Sequence, residues 1–348
     1  TYDYFDALSL HPYEYTNEFR EYKFASDINE IKDLMKEHSN GQPLKPIWIT
    51  EAGFTTATNS TMGFSDFGQA KNTILSYAFM KAYDLADKYF QYEIYHYEGR
   101  TDTEGCWGLI RADVGKGYKP LKAKPAYLAM TALNNIIGGS EFKNVIADDR
   151  FYAFNFYNNT MNKNVLLVQS GKGERIKNYN LGCNSADIYD MYGNKLRTII
   201  SDNGIYCIPV TETPKYIVGD FTVFEETAEL PPVTAKATIA ECTSDDEVEF
   251  EFEKNTDKAL QIEVTELKNA VIKSNEGFIN GKAKVVLQIQ KQEIEDETIE
   301  VTIKDDDGNI YYNQQHTLKI NPPTKTDIIS EQAVENDNTL WRVRVKVT

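Results

Sequence analysis

The stretch PIWITEAGF, residues 46–54, decides how this chain is read. Ile47, Trp48 and Ile49 make the kind of short apolar run found in parallel strands covered on both faces. The run does not stop at a neutral turn residue. It ends in Thr50-Glu51 and then turns on Ala52-Gly53. An acid at the C-terminal end of a buried parallel strand stands where the following loops form a pocket mouth. Taking a carboxylate out of water is costly, so such a group persists where it is paired or used. On strand geometry alone, a structural Glu51 that caps a loop or pairs with an arginine is the other reading.

Outward from this strand, residues 1–139 alternate strand and helix, the grammar of a parallel α/β architecture. FDALSLH (5–11) reads as the first strand, with Phe5, Ala7, Ser9 and His11 on one face. A helix is predicted over about 27–38, capped by Ser26 or Asp27, with Ile28, Ile31, Leu34 and Met35 at helical spacing. A second runs over about 66–87, with Asp66 and Gln69 in a capping-box arrangement. YFQYEIYHY (89–97) reads as a third strand. The last helix starts near Pro125 and ends at Gly138-Gly139, where glycine supplies a left-handed cap. Three strand-helix units cannot close a cylinder, so on a barrel reading most of it lies ahead of Thr1.

From about 141 the pattern changes. RFYAFNFYN, KNVLLVQS, SADIYDMYG, GIYCIPV and KYIVGD are short alternating runs separated by turn signals, which predicts an all-β domain over 140–225. ETAELPPVTAK (226–236) reads as a linker. In DEVEFEFEK, Val248, Phe250 and Phe252 alternate with Glu247, Glu249 and Glu251, the start of a second sandwich over 226–322. NPPTKT (321–326) reads as another linker, and 323–348 as the beginning of a further β module. DDDGN (305–309) between alternating strands reads as a hairpin turn rather than a calcium loop. The chain opens inside one predicted strand and closes inside another, LWRVRVKVT, so it is expected to be an internal piece of a longer polypeptide.

Composition narrows the function. With 348 residues and a net charge of -16, the chain lacks the basic field that phosphate binding needs, which argues against a nucleic-acid partner. No run approaches the ~20 apolar residues of a membrane span. Cys106, Cys183, Cys207 and Cys242 have no metal-like spacing and read as buried free thiols; no metal or cofactor is indicated.

Three groups of residues could carry chemistry. Glu51 is the first. His11 closes the first strand and Tyr13 follows, so both could orient a carboxylate on the neighbouring strand end; a core histidine satisfied by a backbone carbonyl is the competing reading. The third is YEIYHYEGRTDTEGCWGLI, where His96 and Tyr97 end the predicted third strand and Trp107 sits on the loop beyond. Aromatic faces at a pocket rim suit a sugar, whose C–H surface packs on a ring. With 22 Tyr and 17 Phe in the chain, such clusters also arise without function.

The ordered set of a strand ending in His-x-Tyr, a strand ending in WITEAG, and GLI followed by KPAYLAM resembles the last three units of clan A glycoside hydrolases. These are retaining (β/α)8 enzymes, including families 5 and 39. The resemblance covers about residues 1–139 and implies a partial TIM barrel followed by β-sandwich domains, with Glu51 as nucleophile. It implies that His11 and Tyr13 orient Glu51 or touch the sugar, and that His96, Tyr97 and Trp107 line the substrate site. Retaining enzymes place two carboxyl groups ~5–5.5 Å apart, one attacking and one protonating the leaving oxygen, so their environments must push the two acidities apart. The family's acid belongs to an Asn-Glu pair ending an earlier strand; Asn17-Glu18 and Asn29-Glu30 do not stand in for it, and the acid is expected upstream. The resemblance also implies a secreted or cell-surface bacterial protein acting on plant or cell-wall carbohydrate. A reading from another class is an inactive barrel kept as a carbohydrate-binding or scaffold module, its C-terminal sandwiches contacting polysaccharide or serving as spacers.

Overall fold

The computed structural model describes residues 2–347 other than 14, 15, 17, 118, 238, 244–246, 266, 269, 291–296, 322–325, 335 and 336. From 320 onward the description is of the backbone. Asn17, most of the linker expected at 321–326 and the side chain of Cys242 lie outside the described residues. The chain is multidomain, α/β and then all-β, and divides into two compact units: 1–198 with 206–228, and 199–205 with 229–348.

In the first unit, β1 (Leu8–Leu10), β2 (Ile47–Ala52) and β3 (Lys88–Gln91) form a parallel sheet in that order. The crossovers carry α1 (Glu21–Glu37) and α2 (Asp66–Ala82). β4 (Tyr95–Tyr97), β5 (Ile110–Asp113) and β6 (Lys119–Ala123) form a separate three-stranded sheet ahead of α3 (Pro125–Leu133). A six-stranded antiparallel sheet follows, built from β7 (Glu141–Asp148), β8 (Phe151–Asn158), β9 (Lys163–Ser170), β11 (Ser185–Tyr189), β12 (Lys195–Ile200) and β14 (Lys215–Gly219). β10 (Arg175–Asn180), β13 (Ile205–Val210) and β15 (Glu225–Glu226) make a smaller one. One continuous apolar core joins Ile28 of α1, Ile49 of β2, Ile74 and Phe79 of α2 and Leu133 of α3 to Phe154, Phe156, Val165 and Leu167. Residues from both sides of position 139 therefore bury the same surface.

Local signals and the observed elements differ at three helix ends, each for a tertiary reason. α1 begins at Glu21 rather than near 27, and its N-cap, Arg20, makes no side-chain cap bond. What holds the extra turn is Glu21 itself: its fully buried carboxylate receives Arg150 Nε and Nη2 at 2.8 and 2.9 Å and the Tyr152 hydroxyl at 2.9 Å. α2 is capped by Ser65, whose Oγ accepts from Gly68 N–H at 2.9 Å; Asp66 and Gln69, read as a capping box, are used elsewhere. α3 passes into a wider turn over Asn134–Gly138, and Gly139 has φ -95°, so no left-handed glycine closes it.

The second unit is a sandwich of two four-stranded sheets. One holds β16 (Val233–Ala235), β18 (Glu247–Lys254), β20 (Ala270–Asn275) and β21 (Lys282–Ile289); the other holds β17 (Ile239–Thr243), β19 (Gln261–Val264), β22 (Glu297–Lys304) and β23 (Ile310–Asn321). Val248, Phe250 and Phe252 point into its core. The acidic row on the other face of β18 is met across the sheet: Lys284 lies 2.8 Å from Glu249 and 3.1 Å from Glu251, and Lys282 lies 3.0 Å from Glu253. Opposite charges directly across a ladder are how a sheet tolerates such a row. Asp305 accepts the backbone N–H groups of Asp307 and Asn309 at 3.1 and 2.9 Å, which makes DDDGN a self-satisfied turn. β24 (Thr326–Val334) and β25 (Asp337–Val347) pair as an antiparallel hairpin.

Candidate active site

Ile47 and Ile49 of β2 are 2% and 0% exposed, so the strand is anchored in the core and its C-terminal end is a rigid mount. Thr50 and Glu51 emerge from it half-buried. Parallel pairing sets Leu10 of β1 opposite Ile49, which carries the His11–Tyr13 segment alongside Thr50–Ala52, the C-terminal end of β2. Thr50 Oγ1 hydrogen-bonds Ser9 Oγ and lies 2.9 Å from His11 Nε2. The other ring nitrogen, His11 Nδ1, lies 3.5 Å from Glu51 Oε2. Tyr13 Oη donates to the same oxygen at 3.2 Å. Glu51 thus carries a hydroxyl donor and an imidazole on one oxygen, with 39% of its side chain exposed. Among the described residues no lysine or arginine forms an ion pair with it.

Aromatic rings close in on this carboxylate. The Tyr13 and Trp107 centroids are 4.9 Å apart, and Tyr92 lies 6.4 Å from Tyr13 and 6.1 Å from Trp107. Trp107 is 5% exposed. Burial first, and then the charge of Glu51, push the Tyr13 phenol well above its ordinary range, so it remains a hydrogen-bond donor. Glu93, next to Tyr92, is pushed above the usual carboxylate range by burial and then by the charges of Glu104 and Glu51.

His96 and Tyr97 lie in a different sheet from Glu51. The third parallel strand stops at Gln91, and Tyr92 is the ring at its end; the chain then leaves the sheet, and His96 and Tyr97 lie in β4, paired with β5. His96 is 3% exposed, with Nε2 3.1 Å from Arg111 Nη1. The run 89–97 looks continuous because aromatic residues recur throughout it. Glu93, a charge amid them, was the available sign of the break. Tyr92 and Glu93 are the site neighbours that the residue pattern missed.

Gly53 has a specific reason to be glycine. A Cβ there would sit 2.0 Å from the Tyr92 carbonyl oxygen and 3.2 Å from its carbon, both backbone atoms. The close approach lets the ends of β2 and β3 touch, and Tyr92 N–H donates to Ala52 O at 2.8 Å. A cleft of about 180 Å³ lies between the 10–13 segment and Phe24, Ile28 and Ile31 of α1. Glu51 does not line it, and its volume falls below the ~300 Å³ usual for a ligand pocket. Among the described residues there is no cluster of histidine, cysteine and carboxylate able to hold a metal ion, and no helix long and apolar enough to cross a membrane.

No protein-family model matches the chain, and no curated protein sequence matches it. Solved structures give weak likenesses. The endo-β-1,4-mannanase from Thermotoga petrophila matches at 12% identity and TM-score 0.21, over 91% of this chain and 47% of its own. The β-glucuronidase from Parabacteroides merdae matches at 9% identity and TM-score 0.24, over 90% of this chain and 42% of its own. The BIgI domain of the beta protein from S. agalactiae, bound to CEACAM1, matches 26% of this chain over 95% of its own, at 13% identity and TM-score 0.19. The chain spans less than half the length of the two glycosidases it matches. These likenesses are distant.

Proposed function

We propose that the chain is the C-terminal part of a retaining glycoside hydrolase in which Glu51 is the nucleophile. The observation that carries this reading is the state of Glu51: a strand-end carboxylate, open to solvent and bonded by Tyr13 and His11, beside a wall of Tyr13, Tyr92 and Trp107. Tyrosine and histidine orient the carboxylate and leave one oxygen available to attack an anomeric carbon. The half-buried rings of Tyr13 and Tyr92, backed by the buried Trp107, offer the apolar surface on which a sugar face packs.

Double displacement also needs a protonated carboxyl to protonate the leaving oxygen, and then, as its carboxylate, to act as the base that activates water. The resemblance puts that residue ahead of Thr1. Within the chain, Glu93 is the described carboxyl whose proton affinity burial and neighbouring negative charge raise, which is the direction an acid needs. The substrate class we infer is a plant or cell-wall carbohydrate, and the setting a secreted or cell-surface bacterial protein. Trapping the longest natural form of the protein with an activated 2-fluoro glycoside tests the assignment. Peptide mapping is expected to find the label on Glu51 and to lose it in Glu51→Gln. An active protein that takes no label, or takes it on another residue, removes Glu51 from the role.

A further inference from the structure

The loop that delivers Trp107 is clamped by a charged cluster in which Lys124 and His96 are buried and Arg111, Asp66 and Glu98 are partly exposed. Three consecutive residues are held. The Cys106 carbonyl accepts from Thr56 N and Oγ1 at 3.0 and 3.2 Å. The Trp107 carbonyl accepts from Gln69 Nε2 at 2.7 Å. Gly108 lies so close to the 95–96 backbone that a Cβ would fall 1.9 Å from Tyr95 C and 2.0 Å from His96 N. Thr56 Oγ1 in turn accepts from Lys124 Nζ at 2.9 Å, and Lys124, with a fully buried side chain, lies 3.6 Å from Asp66 Oδ1. Arg111 Nη2 donates to Asp66 Oδ2 at 3.0 Å, while its Nη1 faces His96 Nε2 at 3.1 Å and Glu98 at 3.8 Å.

A guanidinium can only donate, so His96 Nε2 must be the acceptor and the ring must be neutral, with its proton on Nδ1. The groups around it come from every neighbouring element: Arg111 on β5, Lys124 at the start of α3, Asp66 in the first turn of α2, Cys106 on the loop and Glu98 beyond β4. Burial, then Lys124, then Arg111 push the imidazole below its ordinary range, against weaker opposition from the Cys106 carbonyl and Asp66. A proton added at Nε2 would turn acceptor into donor, facing another donor, in a cluster where two cations already share Asp66.

We propose that His96 is a positioning residue whose neutral ring latches the 98–109 loop, and that acid releases the loop and withdraws Trp107 from Tyr13. The consequence for sugar binding rests on the reading of Tyr13 and Trp107 as its platform; the latch itself does not. The test uses the full 348-residue chain with Trp48→Phe and Trp341→Phe, so that emission reports Trp107 alone. Acrylamide quenching is followed from about pH 7.5 to about 4.5, spanning the imidazole range, beside histidine ¹⁵N spectra for the protonation of His96 and hydrogen exchange of 98–109 in the unsubstituted chain. Expected is a severalfold rise in quenching and exchange that tracks His96 protonation below its ordinary range and is absent in His96→Gln, whose amide oxygen still accepts from Arg111. The latch is overturned if His96 stays neutral until the unit unfolds, if it titrates without Trp107 moving, or if His96→Gln shows the same transition. Oligosaccharide titration of the same samples separates the two ideas: no binding with the transition intact removes the platform, and binding without the transition removes the latch.

Discussion

Replacing Arg150 by methionine tests what holds the α/β segment to the sheet that follows it. Arg150 grips the carboxylate of Glu21 with two N–H groups at 2.8 and 2.9 Å and the Phe19 carbonyl at 3.0 Å. Glu21 is 0% exposed and Arg150 is 16% exposed in its side chain. Its outer contact with Glu18, 62% exposed, is a surface pair worth ~0–1 kcal/mol. The inner pair is different, because breaking a buried pair strands a charge and costs about 3–5 kcal/mol. The Tyr152 hydroxyl would remain on Glu21, so Arg150→Met should fall at the low end, about 3 kcal/mol, more than a hundredfold in the folded fraction. At an m of about 3 kcal/mol/M for a unit this size, the urea midpoint drops by about 1 M. In a Trp341→Phe background the emission of Trp48 and Trp107 reports the first unit. Glu21→Met, Arg150→Met and Tyr152→Phe together remove the charges and the hydroxyl that would lose its acceptor, and should return to within about 1 kcal/mol of the parent. A loss below about 1 kcal/mol in Arg150→Met, or a combined variant no more stable than the single one, refutes the reasoning.

Gly53→Ala should cost about 3 kcal/mol, because the added Cβ meets the Tyr92 backbone rather than a flexible side chain; urea unfolding and the near-ultraviolet circular dichroism of the aromatic wall check it, and an unchanged spectrum with a loss under about 1 kcal/mol counts against the close approach. In the second unit, His316 is fully buried, its Nε2 lies 2.8 Å from Tyr312 Oη, and burial pushes it down to about 4. The unfolded ring binds its proton near 6.5, so between the two values the unfolded state holds more protons. Stability of that unit should therefore be intact above about pH 6.5 and fall by about 3 kcal/mol on acidification toward pH 4. Urea unfolding of His316→Gln across that window should show a much flatter slope, and an unchanged slope would point to another group.

The parts of the fold legible in the sequence were those that depend on period. Ile47 and Ile49 in β2, and Val248, Phe250 and Phe252 in β18, reach the core because alternation and burial are one property. Element ends were less legible, since long-range partners set them: Glu21 extends α1 only because Arg150 and Tyr152 come to it from more than a hundred residues away. The same holds at the candidate site. His11, Tyr13 and Glu51 could be named from strand ends, and Trp107 from its loop, but the ring completing the wall is Tyr92, because β3 stops two residues before Glu93.

That stop was encoded after all, in the glycines. Gly53 admits the Tyr92 carbonyl and Gly108 admits the backbone of Tyr95 and His96, each at a distance that no side chain allows. An isolated glycine next to a strand marks a close backbone approach. In TEAGF and CWGLI the two approaches act together. One docks the end of β3 on the end of β2 and sets Tyr92 beside Glu51; the other lays the 105–109 loop against β4 and sets Trp107 beside Tyr13. Substituting either glycine should therefore disturb the Tyr92–Trp107 contact, since each glycine positions one of its two rings. That shared outcome ties the turn after Glu51 to the wall around it more closely than the composition of the aromatic strand could.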